Sequence, residues 1–245
     1  MNKSCRVLLK LTVSASMLMA AGIAQAQLYW RGDVGYSWST GANIQDKDFN
    51  TSDLVICGDI TCTVPGSIDN VGNSALLSLG GGWRFSPNLR ADGTVTYRGW
   101  YKIDSTVPDG FGSTSNIKAD VSSWNIMANG YWDFPLKWGA LYVGAGIGWA
   151  SNKVGNVSIT DPILPGITGG VPGGTTSNFA WALMVGVGYN VSPALTLDLA
   201  VRYSDLGKLE TNSGVVTANG IATGLTYSGA QGDLKAWELT VGLRF

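Results

Sequence analysis

The chain has 245 residues, a formal charge of −1, no histidine, 13% charged residues, 34 glycines, 10 tryptophans and 9 tyrosines. Near-neutrality excludes the basic footprint of a nucleic-acid-binding protein, and the missing histidine removes the commonest general base and a frequent transition-metal ligand. The length allows one domain with a sizeable core, and few charges with many aromatics and glycines suit a β-barrel better than an ordinary cytosolic enzyme.

Lys3, Arg6 and Lys10 precede a mostly apolar run from Leu11 to Ala24, and Ala24-Gln25-Ala26 fits a small-residue cleavage site. Residues 1–26 are therefore expected to be a signal peptide, leaving 27–245 as a single domain. The apolar run is short for a membrane anchor helix. Cys5 falls within the signal, so Cys57 and Cys62 are the cysteines of the mature chain. Their spacing is not that of a CxxC redox motif. In an oxidising compartment they are expected to close a small disulfide loop.

After the signal, Leu28, Trp30, Val34, Tyr36 and Trp38 alternate with Tyr29, Arg31, Asp33, Gly35 and Ser37. Period two with one apolar face predicts a strand. A polar stretch, roughly 40–72, follows. Further strands are predicted over 73–85, 89–101, 120–134, 139–150, 177–190, 195–204 and 233–245. Their apolar faces include Leu77 and Leu79, Val95, Tyr97 and Tyr101, Trp124 and Ile126, Val143 and Ile147, Leu183 and Val185, Leu199 and Val201, and Leu239 and Val241. Ser86-Pro87-Asn88, Pro135-Leu136-Lys137-Trp138 and Val191-Ser192-Pro193-Ala194 read as short turns. The connections 102–118, 151–176 and 205–232 read as loops.

Short turns and long loops alternate along the chain. The expectation is an all-β fold: an eight-stranded antiparallel transmembrane β-barrel with short periplasmic turns and four long extracellular loops. The aromatic residues support it by sorting to two levels. Trp30, Trp83, Phe85, Trp132, Trp138, Tyr189 and Phe245 fall near the short turns. Trp38, Tyr97, Tyr101, Trp124, Trp149, Phe179, Trp181, Tyr203 and Trp237 fall toward the long loops. Tryptophan and tyrosine favour the two membrane interfaces.

The polar faces carry Arg31, Asp33, Arg84, Arg90, Asp92, Arg98, Asp133, Asp198, Arg202, Glu238 and Arg244. These charges are mixed in sign and use arginine rather than lysine, which suits forked pairing with carboxylates away from water. An eight-stranded interior is just wide enough for side chains to fill. The expected arrangement is a packed, charge-lined lumen that holds the barrel together and does no chemistry. Gly144, Gly146, Gly148, Gly186 and Gly188 either leave a gap there or make room for large neighbours. No catalytic, cofactor-binding or metal-ligating residue stands out, and no enzyme activity is expected.

The opening Leu28-Tyr29-Trp30-Arg31-Gly32 and the ending Leu239-Thr240-Val241-Gly242-Leu243-Arg244-Phe245 resemble those of the small outer-membrane β-barrel proteins of proteobacteria. The likeness is nearest to the alphaproteobacterial surface-antigen, or porin-family, branch. The resemblance implies outer-membrane lipid as the surroundings and Phe245 as the C-terminal signal read by the barrel-assembly machinery. It fixes location and fold better than activity. Two roles remain: a monomeric structural and surface-interaction barrel whose loops meet host or extracellular ligands, or a narrow pore for small molecules.

Overall fold

The computed structural model describes residues 27–47, 68, 71–108, 114–160 and 165–245. The predicted signal segment 1–26 and the pair Cys57 and Cys62 lie outside the described residues. The strands, in chain order, are β1 (Gln27–Thr40), β2 (Gln45–Asp46), β3 (Asn73–Arg84), β4 (Leu89–Pro108), β5 (Thr114–Leu136), β6 (Gly139–Val154), β7 (Val157–Thr160), β8 (Thr168–Val171), β9 (Gly174–Ser192), β10 (Leu195–Glu210), β11 (Gly214–Ala218), β12 (Ile221–Tyr227) and β13 (Ala230–Arg244).

The eight long strands pair in a ring. β1 pairs with β3, then β4, β5, β6, β9, β10 and β13 follow, and β13 returns to β1. Every one of these pairings is antiparallel, and the short connections 85–88, 137–138 and 193–194 allow nothing else for the strands they join. The ends meet through Phe245, whose N–H donates to the Trp30 carbonyl at 2.9 Å and whose carbonyl accepts from the Trp30 N–H at 2.7 Å.

Toward the short connections the apolar phase of each long strand is exposed, and the opposite phase, charged, polar or small, faces inward. On β5, Trp124, Ile126, Trp132 and Phe134 are exposed, while Asn125, Asn129 and Asp133 are buried. This follows from period two: once one face looks outward, every second residue must.

The same strand reverses its polarity further along. Residues Thr114, Lys118 and Asp120 are exposed, whereas Ile117, Ala119 and Val121 are buried. Beyond Trp124, then, the outer face turns polar and the inner face apolar. The inner residues of this end form a core that includes Val71, Tyr101, Ile103, Val121, Val154, Leu206, Leu209 and Leu234. On the outer face, Lys102 stands opposite Asp120, Asp104 opposite Lys118, Asp205 opposite Lys235, and Lys208 opposite Asp233. Opposite charges in directly facing positions suit a watery surface.

Two expectations are corrected here. The stretch 102–118 is not an irregular loop; β4 and β5 continue pairing from Lys102 and Asp120 to Pro108 and Thr114. Tyr101 is fully buried rather than on the outer apolar face. Between Arg98 and Tyr101 the register shifts by one residue, a bulge that moves the following residues to the opposite phase. A second bulge lies between Asp205 and Lys208 on β10, so that Leu206 and Leu209 both point inward. Gly207 absorbs it at φ 77°, a left-handed conformation that favours glycine.

The other predicted loops are also more ordered than expected. β7, β8, β11 and β12 form a small sheet that continues edge to edge from the loop end of β5. The hairpin joining β11 and β12 turns on Asn219 and Gly220, at φ 49° and 81°. Asn-Gly with both angles positive is the favoured two-residue hairpin turn. Two of the predicted turns are tighter than expected: Pro135 and Leu136 belong to β5, and Val191 and Ser192 to β9.

Candidate functional site: the buried charge clusters

Alternation brings the predicted polar residues to one shared interior, where they separate into layers. In the layer near the short connections, the Arg31 guanidinium donates to both oxygens of Asp33, at 2.8 and 3.0 Å, and to Asp92 Oδ2 at 3.1 Å. The forked pair with Asp33 is the geometry that favours arginine over lysine. Asp92 also accepts from Tyr29 at 3.0 Å, Tyr131 at 3.2 Å and Asn129 at 2.8 Å. Four donors around one carboxylate leave little of its hydrogen-bonding capacity unused.

Arg90 Nε lies 3.0 Å from Asp133 Oδ1, and its guanidinium stacks 3.8 Å from the Tyr131 ring centroid and 4.5 Å from that of Tyr142. A cation over a ring face in a dry interior is attracted by the ring quadrupole. Arg244 Nε is 3.3 Å from Asp198 Oδ2. Arg84 differs from the others: its side chain is 39% exposed, and Nη2 stops 3.9 Å from Asp133. It sits at the rim of the cluster rather than sealed within it.

In the second layer, two arginines share one carboxylate. Arg98 Nε donates to Glu238 Oε1 at 2.6 Å, and Arg202 Nη1 lies 3.7 Å from Glu238 Oε2. Ser37 and Ser204 donate to Glu238 at 3.3 and 3.2 Å, and Arg98 Nη1 donates to Asn125 Oδ1 at 2.8 Å. Arg98, Asn125 and Glu238 are all buried. Met127, Tyr131, Tyr142, Ala182, Met184 and Ala200 form an apolar cluster within the same interior.

Buried tyrosines stand among these charges. Tyr29, Tyr101, Tyr131 and Tyr142 are all buried. Their signal was phase: Tyr131 shares that of Asp133, and Tyr142 that of Gly144. The glycines answer the question of gap or packing. A Cβ added at Gly144 would come 2.6 Å from the Tyr131 ring, and one at Gly186 would come 2.5 Å from the Tyr142 ring. These positions are occupied by their neighbours' rings.

Outside this interior, aromatic side chains meet in rows. Tyr97–Trp124, Trp149–Phe179, Trp181–Tyr203 and Tyr203–Trp237 have ring centroids between 4.4 and 6.4 Å apart, near the level where the outer face turns polar. Trp138 and Tyr189 pair at 6.3 Å toward the short connections.

A protein of Brucella abortus, described only as uncharacterized, is 33% identical over 212 residues, covering 74% of this chain and 68% of its own length. A Rickettsia conorii protein provisionally named an adhesin is 28% identical over 173 residues, covering 68% of this chain and 65% of its own. The outer membrane protein PagN of Salmonella typhimurium is 33% identical over 95 residues, 38% of either chain. Among solved structures, Neisserial surface protein A matches at TM-score 0.41 and 17% identity, over 89% of this chain and 97% of that one. Ail of Yersinia pestis, bound to a heparin analogue, matches at TM-score 0.40 and 14% identity, over 89% and 99%. The family described as outer membrane protein beta-barrel domain matches residues 7–245. The chain belongs to that outer membrane protein beta-barrel domain family and is a protein of the bacterial outer membrane.

Proposed function

We propose that the ring of eight long strands is a transmembrane barrel closed to solute flow, whose extracellular loops engage extracellular or host ligands. The observation that carries the closed barrel is the occupied interior. Ion pairs and tyrosines fill it near the short connections, and a core including Tyr101, Leu206 and Leu234 fills it at the loop end. In this reading the charge-lined lumen holds the wall together, the aromatic rows mark the membrane interfaces, and outer-membrane lipid covers the apolar face between them.

Supporting the interaction role, the loop ends extend into a small sheet beyond the polarity reversal, and the Rickettsia relative carries an adhesin name. The protein would act as a monomer without catalytic chemistry, after removal of residues 1–26 and insertion by the barrel-assembly machinery through Phe245. The Cys57–Cys62 disulfide would restrain the first loop.

Planar bilayer recording tests the closed interior. The expected result is no stable conductance step from the purified, folded protein; large, reproducible steps would favour the narrow-pore alternative. Binding of whole cells to host cells or matrix, with and without the 211–229 hairpin, tests the loops. Equal binding by both strains would remove that hairpin from the role.

A further inference from the structure

The tripeptide Ala-Asn-Gly occurs twice, at 128–130 and 218–220, and the fold treats the two copies in opposite ways. Asn129 is buried on β5, its Nδ2 donating to Asp92 Oδ1 at 2.8 Å and to Thr94 Oγ1 at 3.0 Å. Gly130 stands in the ladder, opposite Ala91 on one side and Ala145 on the other. Asn219 and Gly220 are exposed instead, and form the two-residue turn between the facing pair Ala218 and Ile221. The Asn219 amide fastens this turn to its neighbour. Its Oδ1 accepts from the Thr168 N–H at 2.9 Å, and its Nδ2 donates to the Gly166 carbonyl at 3.2 Å. Its backbone N–H donates to the Thr168 carbonyl at 2.9 Å. The facing pairs of β8 and β11 are Thr217 with Gly170 and Ala218 with Gly169, and the Asn219 bonds extend this short contact.

We propose that Asn219 is a site of spontaneous deamidation, and that its conversion to aspartate or isoaspartate unfastens the β11–β12 turn from residues 166–168. The reaction needs only water. The Gly220 nitrogen gives its proton to solvent base and bonds to the Asn219 side-chain carbonyl carbon. The bond from that carbon to Nδ2 breaks, and the nitrogen leaves as ammonia after taking up a proton. Water then opens the cyclic imide at either carbonyl, giving aspartate or isoaspartate, and the new acid ionises. Nothing is oxidised or reduced. Glycine has no Cβ to obstruct the approach of its nitrogen. The amide's own hydrogen bonds lie at the surface, where local opening is far less costly than global unfolding. Asn129 has the same neighbours in sequence, but reaching the imide there requires breaking the ladder of β5.

The product cannot keep the fastening. A carboxylate has no hydrogen to donate, so an acceptor oxygen comes to face the Gly166 carbonyl in place of Nδ2. The isoaspartate product also lengthens the backbone of the turn by one methylene. The new negative charge enters a run, 211–232, that has no charged residue of its own. The displayed surface of this hairpin therefore changes with the age of the molecule. None of this depends on the closed interior or on a ligand of the loops: a conducting barrel with the same turn would age in the same way.

The purified, folded protein is incubated in mildly alkaline buffer made with heavy-oxygen water, so that only deamidation during the incubation is labelled. Fragmentation of the tryptic peptides 209–235 and 119–137 then assigns the label to Asn219 or Asn129. Label is expected at Asn219 at a rate about an order of magnitude or more above that at Asn129. In denaturant the two rates should converge, since the tripeptides are the same. Labelling at Asn219 no faster than at Asn129 in the folded protein would overturn the site. The unfastening is read by hydrogen exchange of the 166–170 amides, in the aged protein and in Asn219→Asp, a residue that this kind of turn accepts. A several-fold rise in exchange is expected in both. Exchange as slow as in the fresh protein would overturn the unfastening, and if Asn219→Asp does not fold, the aged protein still decides.

Discussion

Glu238 shows how residue type and burial act together. It is fully buried and accepts from Arg98, Ser37 and Ser204, with Arg202 close by. Glu238→Gln keeps the shape and removes the charge, leaving two buried guanidiniums without a carboxylate. Breaking a buried pair from one side costs about 3–5 kcal/mol, so equilibrium unfolding in denaturant should show a loss of that order. Gly186 makes the complementary point about volume. An added methyl would meet the Tyr142 ring and come 2.6 Å from the Leu199 carbonyl. Gly186→Ala is expected to destabilise by about 1–3 kcal/mol through overpacking, measured in the same unfolding experiment. The division of cations was legible from sequence: Arg31, Arg90, Arg98, Arg202 and Arg244 are buried, whereas Lys102, Lys118, Lys153 and Lys208 are exposed. Tyr101 was not legible, because one unpaired residue upstream changes its phase.

At the scale of elements, the strands were found but their ends were not. β4 runs to Pro108 and β10 to Glu210, well past the predicted 101 and 204. The prediction followed an apolar outer face, and that face ends where the outer surface turns polar although the pairing does not. The bulges sit close to this change. On β10 the bulge is fastened by Asn152, whose Nδ2 donates to the carbonyls of Leu206 and Lys208 at 2.8 and 3.0 Å. Gly207→Val would force a β-branched residue into positive φ, with its Cβ against the Asn178 side chain. Strain of this kind costs about 1–3 kcal/mol. Limited proteolysis should then cut near 205–210 while the heat-modifiable barrel survives; an unchanged digestion pattern would contradict the anchoring role of this bulge.

Across the whole molecule, two opposite arrangements share one set of strands. Between the aromatic rows the wall is apolar outside and polar inside; beyond the row at the loop end it is polar outside and apolar inside. The solvent on the outer side accounts for both. In the proposed reading, lipid selects the first arrangement and water the second. A lysine placed on the outer face therefore reports which solvent it meets. Leu199→Lys, within the apolar band, is expected to cost about 2–4 kcal/mol and to lower the folded fraction in lipid vesicles. Ser177→Lys, on the exposed face beyond Phe179, should leave folding yield unchanged. If both substitutions behaved alike, the band would be misplaced.

The sequence by itself determined the all-β class, which residues share a face and the outward direction of the greasy side. These follow from period two, which any neighbour must respect. It also determined the family-like opening and ending. Only the tertiary structure decided which arginine meets which carboxylate, because partners such as Arg98 and Glu238 are 140 residues apart in the chain. It alone decided the apolar core at the loop end, since segments that look irregular in isolation acquire a buried face when Val71, Leu206 and Leu234 converge. Alternation is local and survives in the sequence; register, bulges and the depth of the surrounding solvent depend on distant strands and emerge only when the ring of pairings forms.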